Sequence, residues 1–363
     1  MKKWIYANTY FEFELAKKLS YPLVPYLEKH PLFLQLQFLP LLYASPEDTL
    51  LVSHLPSSSY LEKLQSILRQ PLAQIALLED DSLSEGFLES WGSSFFLKNW
   101  AKKHKIQYLN PDQDITSLIN DKIFSYTYCP QLAKSQLIYN EKELNALRQK
   151  TTTSVILKSS FGVASLGNII LPPYPKSLSK KSINFLYKFW NSHQVLIAEP
   201  FVDRLDDFST QWHISSIGRI TYIGAVRLKN GQNGGFQHCV YGPNDSALHD
   251  IQDFLEEHKK HAYKTLNLLK DKGFFGYLGL DSMIYKDQKG QILLHPIVEI
   301  NARQTMALAC IFFQNKHHPY KHIQLSYIKS SLNGSLLPEN ILKKNKGSLQ
   351  FPQKLFIKIM DKD

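Results

Sequence analysis

Residues 276–303, GYLGLDSMIYKDQKGQILLHPIVEINAR, decide how the rest of this chain is read. Two apolar runs flank a polar turn near Asp287–Lys289, the pattern of an antiparallel hairpin with strands over Phe274–Tyr285 and Gln291–Asn301. Residues two apart on a strand share a face, so Glu299 and Asn301 project together while Val298 and Ile300 turn into the core. Asp281 lies on the first strand, facing away from Leu280, and the turn sets it across from His295 or Pro296. Pro296 cannot donate to a ladder and marks a bulge or an edge. Two carboxylates and an amide oxygen on one face are hard oxygen ligands, the kind Mg²⁺ takes together with phosphate oxygens. Arg303, two residues past Asn301, continues that face, and its planar fork suits a carboxylate or an oxyanion. Such a short pattern is common on half-buried hairpins, so its surroundings decide its meaning.

Outward from the hairpin, Asn244-Asp245-Ser246 supplies N-cap candidates for a helix to about Lys270, with Leu248, Ile251, Leu255, Ala262, Leu266 and Leu269 at helical spacing. Ahead of it the strands Ser209–Ser215 and Arg219–Arg227 are followed by a long polar loop, Lys229–Asp245. Further back, the strand Thr153–Lys158 leads into the small-residue loop SSFGVASLG (159–167), the strand Asn168–Leu171, a helix over Ser179–Asn191 and the strand Gln194–Glu199. Residues 1–120 alternate short apolar runs (Trp4–Ala7, Thr49–His54, Gln74–Leu78) with amphipathic stretches (Ser57–Leu68, Phe87–His104), the pattern of a small α/β domain with a partly parallel sheet. No glycine-rich phosphate fingerprint follows these strands, which argues against a dinucleotide site there.

The chain has 363 residues, 44% hydrophobic and 20% charged, which excludes wholesale disorder and allows two or three domains. Cys129, Cys239 and Cys310 are odd in number and far apart, which fits a reducing compartment rather than a disulfide framework or a structural zinc site. The amino terminus starts basic but meets Glu12 and Glu14 before any apolar region, unlike a signal peptide. The greasiest stretch, Pro31–Tyr43, is too short to span a bilayer and is broken by Gln35 and Gln37. A cytoplasmic protein with no transmembrane segment is expected; the oligomeric state stays open. Of the net charge of +10, residues 313–363 hold +6, as nine lysines against three acids. No nucleic-acid module accompanies that charge, and no nucleic-acid partner is expected. His213, His238 and His295 lack metal-ligand spacing and read as structural; Cys239 has no His/Asp partner that would make it a nucleophile.

Glu299-Ile300-Asn301 at the end of such a hairpin, preceded by Gly276-x-x-Gly279-x-Asp281, resembles the closing metal-binding strand pair of the ATP-grasp superfamily, shared by its D-alanine–D-alanine ligase and carbamoyl phosphate synthetase branches. Other elements follow in the expected order over about 121–313. Asn120-Asp121-Lys122 is similar to the Asp-Lys that opens the ATP-binding unit. Lys158, followed by Gly162, Ser165 and Gly167, resembles the strand lysine and phosphate-covering loop. Glu199-Pro200-Phe201-Val202 resembles the hinge that reads adenine, and Asp207-Phe208-Ser209 the element that meets the ribose. The Asn-x-Arg ending is more like the carbamoyl phosphate synthetase and biotin carboxylase branches than the Asn-x-x-Pro-Gly of D-alanine ligases.

The resemblance implies a mixed α/β and α+β architecture, an ATP-grasp fold with an α/β domain ahead of it. Its parts would be that amino-terminal domain at 1–120, a central lobe at 121–200, a carboxy-terminal lobe at 201–320 and a basic extension at 321–363. It implies ATP between the two lobes, held by Lys122, Lys158, Gly162, Ser165, Gly167, Glu199, Phe201, Val202 and Asp207. One or two Mg²⁺ ions, or Mn²⁺, would sit on Asp281, Glu299 and Asn301. Arg303 and Arg227 would be the catalytic cations, with Lys229 the alternative to Arg227. The implied reaction joins a small-molecule carboxylate to an amine through an acylphosphate, releasing ADP and phosphate, with an amino acid or small peptide as the favoured substrate. The alternative is an ATP-binding regulatory or scaffolding protein with the same fold and no turnover.

Overall fold

The computed structural model describes residues 2–17, 24–80, 82, 83, 85–161, 167–191, 194–231, 236–332, 334–343 and 347–360. Its elements begin with β1 (Lys3–Tyr6), α1 (Phe11–Lys17), α2 (Pro31–Leu36), β2 (Thr49–Val52), α3 (Ser58–Leu68), β3 (Gln74–Leu77), β4 (Phe87–Ser90), α4 (Phe95–Lys103) and β5 (Gln107–Tyr108). These strands form one sheet, order β3-β2-β1-β4-β5, parallel throughout rather than in part. Leu50, Leu51 and Val52 are fully buried, as expected of a parallel strand covered on both faces. The stretch 87–104, expected as one helix, divides into β4 and α4. Gly92 presses so closely on the Phe11 ring that a Cβ would lie 2.6 Å from it, and the Ser94 hydroxyl caps α4 by accepting the Leu97 N–H. The strand order reverses between β1 and β4, where α/β sheets open a ligand crevice. Here the two strand ends are tied together: the Asn8 amide donates to the Gly92 carbonyl at 2.9 Å and accepts the Gly92 N–H at 3.1 Å, with Phe11 buried beside them.

Helices α5 (Gln113–Asn120) and α6 (Lys122–Tyr128) lead into a second, antiparallel sheet. It contains β6 (Gln136–Ile138), β7 (Val155–Ser159), β8 (Asn168–Leu171) and β9 (Leu196–Pro200), in the order β6-β9-β7-β8, with α7 (Glu141–Lys150) and α8 (Lys180–Asn191). Leu144, Leu157, Leu171, Leu186 and Ala198 make a core of its own.

The third sheet is seven-stranded and fully antiparallel. Its elements are β10 (Asp203–Ile214), β11 (Ile220–Asn230), β12 (Phe236–Tyr241), α9 (Gln252–Asp271), β13 (Gly276–Lys286), β14 (Ile292–Asn301), α10 (Met306–His317) and β15 (His322–Lys329). A small hairpin of β16 (Asn340–Leu342) and β17 (Ser348–Gln350) precedes the last strand, β18 (Gln353–Met360). The sheet order is β14-β13-β10-β11-β12-β15-β18.

Three expectations change here. Helix α9 starts at Gln252, not near Ser246, because Asn244 and Asp245 take left-handed backbone angles. The Asp245 carboxylate instead accepts the Tyr222 hydroxyl at 2.7 Å and the Ala225 N–H at 2.9 Å. Within the supposed polar loop 229–245, residues 236–241 form a strand that buries Cys239 and Tyr241. The supposed basic extension is no extension: β15 and β18 are strands of the main sheet, and Leu336, Leu337, Ile341, Phe351 and Leu355 join the core shared with the amino-terminal domain. The Gln35 amide donates to the carbonyls of Pro338 and Gln353, and the Tyr327 hydroxyl donates to Gln35 Oε1. Lys354, counted from the sequence as free charge, pairs with Glu339 at 2.7 Å. No helix among the described residues is long and apolar enough to cross a membrane.

Candidate active site

The β13–β14 hairpin closes through Asp287, whose Oδ1 accepts the N–H groups of Lys289 and Gln291, both at 2.8 Å. From there Lys286 pairs with Ile292 and Met283 with His295, but Asp281 pairs with Glu299. One residue on β13 thus stands against three on β14, a bulge of two extra residues. Asp281 had been expected opposite His295 or Pro296; the bulge carries it directly across from Glu299.

Pro296 cannot join the ladder, and its carbonyl turns away to His258 on α9, 2.7 Å from Nδ1. A carbonyl only accepts, so Nδ1 carries the proton. Burial pushes this histidine down to about 4, against the Pro296 bond, so the ring is neutral and Nε2 accepts from Thr210 Oγ1 at 2.7 Å. Thr210 Oγ1 in turn accepts the Trp212 indole N–H at 2.8 Å. This one-way chain pins the bulge from beneath. Nothing in the local sequence linked His258 to Pro296, 38 residues away. The same bulge makes Ile297 and Ile300 the buried positions and leaves Val298 only half-buried.

On the other face Asp281, Glu299 and Asn301 converge. The Asn301 amide N–H donates to Asp281 Oδ2 at 3.1 Å, and Arg303 Nη2 donates to Asn301 Oδ1 at 2.8 Å. Lys122, at the start of α6 with Asp121 as its N-cap, reaches Glu299 Oε1 at 2.6 Å. Arg303 is further held by Glu12 of α1, 2.5 Å from Nε, and donates to the Gln304 carbonyl at 3.1 Å. Glu12 was not singled out from the sequence; it lies on α1, beside the parallel sheet, 291 residues away.

Burial raises Glu299, but Lys122 and then Arg303 outweigh it and hold the group below the ordinary carboxylate range. Burial lowers Lys122, and Glu299 more than reverses that. Asp281 has Arg303 nearby but no lysine bonded to it: burial, reinforced by Glu299, outweighs Arg303 and pushes it from 3.8 up to about 6. The folded state therefore binds more protons than the unfolded one between those values, and stability falls as pH rises through the window. Above about pH 6 the ionised carboxylate costs on the order of 2–3 kcal/mol. Asp281→Asn is expected to raise the melting temperature of the nucleotide-free protein at pH 8, with the gain vanishing by about pH 4. An unchanged or lowered midpoint at pH 8 would contradict the charge balance described here.

Toward the second sheet, Lys158 on β7 meets Glu199 on β9 at 2.6 Å, both largely buried. The Phe201 ring is half-exposed and its N–H donates to the Ser154 carbonyl; Val202 is partly exposed. Asp207 shares the face of Asp281, since Ser209 pairs with Asp281 and lies two residues on. Burial raises Asp207, against Arg204, which approaches to 2.5 Å. Gly167 has φ +105, and a Cβ there would fall 2.2 Å from Ser159 Oγ, so only glycine fits. Gly162 and Ser165 lie outside the described residues.

Arg227 is not brought to this cluster. It pairs with Phe208, which alternates with Ser209, so it projects from the opposite face of the sheet. There it meets Asp206 at 3.2 Å and Asp250 at 2.6 Å. Lys229, the alternative, is among the charges that act on Asp207.

Among the described residues no three His, Cys, Asp or Glu side chains gather as a metal set. An ion on this face would be held by two carboxylates and the second lone pair of Asn301 Oδ1, with phosphate oxygens and water completing the shell. That donor set fits Mg²⁺, which demands few protein ligands.

No protein-family model matches the chain, and no curated protein matches its sequence. Solved structures share its fold. Biotin carboxylase from Campylobacter jejuni, in a β,γ-ATP complex, superposes with a TM-score of 0.54 at 12% identity, over 99% of this chain and 87% of that one. The biotin carboxylase domain of Hydrogenobacter thermophilus 2-oxoglutarate carboxylase, with MgADP, ADP and bicarbonate, gives 0.51 at 12% identity, over 99% and 86%. An ADP complex of N5-carboxyaminoimidazole ribonucleotide synthetase gives 0.51 at 13% identity, over 90% and 81%. With a likeness that runs through all three sheets, and with the acid–acid–amide hairpin where the sequence resemblance requires it, this chain has the ATP-grasp fold.

Proposed function

We propose that this protein is an ATP- and Mg²⁺-dependent ligase that joins a carboxylate to an amine, with an amino acid or small peptide as substrate. The observation that carries this reading is the convergence of Asp281, Glu299 and Asn301 on one sheet face, with Lys122 and Arg303 bonded to them. Phosphoryl transfer is catalysed mainly by positioning and charge neutralisation, which is what such a set provides. Lys122 and Lys158 are the cations for the phosphates, each stored on a carboxylate, Glu299 and Glu199. Mg²⁺, when bound, supplies further neutralisation of the phosphate charge. Arg303 is already matched by Glu12, so it acts as a fixed fork that orients Asn301 rather than as a free positive charge.

The three-part division at about residues 120 and 200, with nucleotide between the last two lobes, belongs to this reading. So does the sequence of steps: the carboxylate takes the γ-phosphoryl group, and the amine displaces phosphate from the acylphosphate. Purified protein given ATP, Mg²⁺ and pools of amino acids and dipeptides should release ADP and phosphate, and no AMP, with the correct pool. ATP binding without turnover in any pool would favour the regulatory reading instead.

A further inference from the structure

His295 is 2% exposed, and neither ring nitrogen has a hydrogen-bond partner among the described residues. Buried polar side chains are nearly always paired, since a buried unpaired donor or acceptor costs about 1–3 kcal/mol. The other buried histidine of this region, His258, has both nitrogens satisfied. The place of His295 in the sheet gives the deficit a meaning. Across three strands, Asp207, Met283 and His295 stand in one row on the face that carries Asp281 and Glu299. The charges acting on the imidazole are Glu199 and Lys158, from the second sheet, and Arg204. The ring therefore lies where the two lobes face each other, bordered by the residues assigned above to the nucleotide.

We propose that His295 is a nucleotide-contacting residue, one of whose ring nitrogens finds its missing partner on the purine of the bound nucleotide. The inference rests on the proposed nucleotide site. Burial pushes His295 down to about 4, so the ring is neutral near pH 7, with one donor and one acceptor. A purine edge offers a complement to either nitrogen, an N–H donor or a ring-nitrogen acceptor, and since the two imidazole nitrogens point apart, one of them makes the contact.

The test is calorimetry of Mg²⁺–ADP binding, with thermal melts of the nucleotide-free protein, for wild type and His295→Phe. Phenylalanine keeps the ring volume and removes both nitrogens. The nucleotide-free melting temperature should hold or rise, because the unpaired groups are gone, while ADP affinity falls at least about tenfold. A purely structural histidine would give the reverse, a lower midpoint and unchanged affinity, and that result would overturn the proposal. Should the phenylalanine variant not fold, His295→Asn and His295→Leu make the same comparison. Affinity kept within about threefold by Asn and lost by Leu supports the contact; equal affinity in both overturns it. Wild-type protein that binds no ADP would remove the nucleotide site itself and this inference with it, whereas wild-type binding with indifferent variants removes the inference alone.

Discussion

Glu299→Gln should lower ATP turnover by at least about 10²–10³-fold while the protein remains folded. Glu299 lies directly across from Asp281 and is the carboxylate of the pair held below the ordinary range, chiefly by Lys122 at 2.6 Å. Glutamine keeps an oxygen for Lys122 to bond, so the contact survives in geometry but loses its charge. Any divalent ion is then left with Asp281 alone as a charged ligand. Lys122 is also left with a neutral partner at a buried site, and a modest fall in melting temperature should accompany the kinetic loss. Calorimetry separates the two effects: Mg²⁺ should strengthen ADP binding in wild type and have little influence in the variant. Unchanged turnover in Glu299→Gln would sink the assignment of this hairpin as the metal site.

A chain ending at Ser330 should fail to fold. It lacks β18 together with Leu336, Leu337, Ile341, Phe351 and Leu355, whose side chains are 0–6% exposed in the core shared with the amino-terminal domain. At about 1.5–3 kcal/mol for each buried side chain, the loss is on the order of 7–15 kcal/mol, as large as the whole stability of an ordinary domain. The truncation also strips Gln35 of both carbonyl acceptors and leaves β15 without its partner strand. The expected result is insoluble protein, or soluble material without a cooperative melt. A monomeric truncated chain that melts cooperatively near the full-length temperature would show that the segment is dispensable after all.

Local chemistry explains which parts of the molecule were legible in its sequence. The acid, acid and amide of the hairpin were readable because alternation along a strand puts Glu299 and Asn301 on one side whatever the rest of the fold does. The parallel sheet was readable from short apolar runs separated by amphipathic stretches. Lys122, Lys158, Glu199 and Asp207 were singled out by order and type of residue; in the fold Lys122 meets Glu299, Lys158 meets Glu199, and Asp207 shares the face of Asp281. Arg227 had the right residue type, but facing is decided by register. Its pairing with Phe208 sends it to the far side of the sheet, where two carboxylates take it up.

What the sequence alone determined, then, was local: the alternation along the β13 and β14 strands, the turn at Asp287, and the residue chemistry of the acid–acid–amide face. Only the tertiary structure decided what depends on distant partners. The bulge that sets Asp281 against Glu299 is held by His258 from another element. Arg303 is neutralised by Glu12 from the first helix, and the lysine-rich end of the chain is drawn into the sheet by the apolar residues between its charges. The physical reason is the same in each case. A buried polar or charged group takes whichever partner the packed chain brings within reach, and sequence separation does not enter that choice.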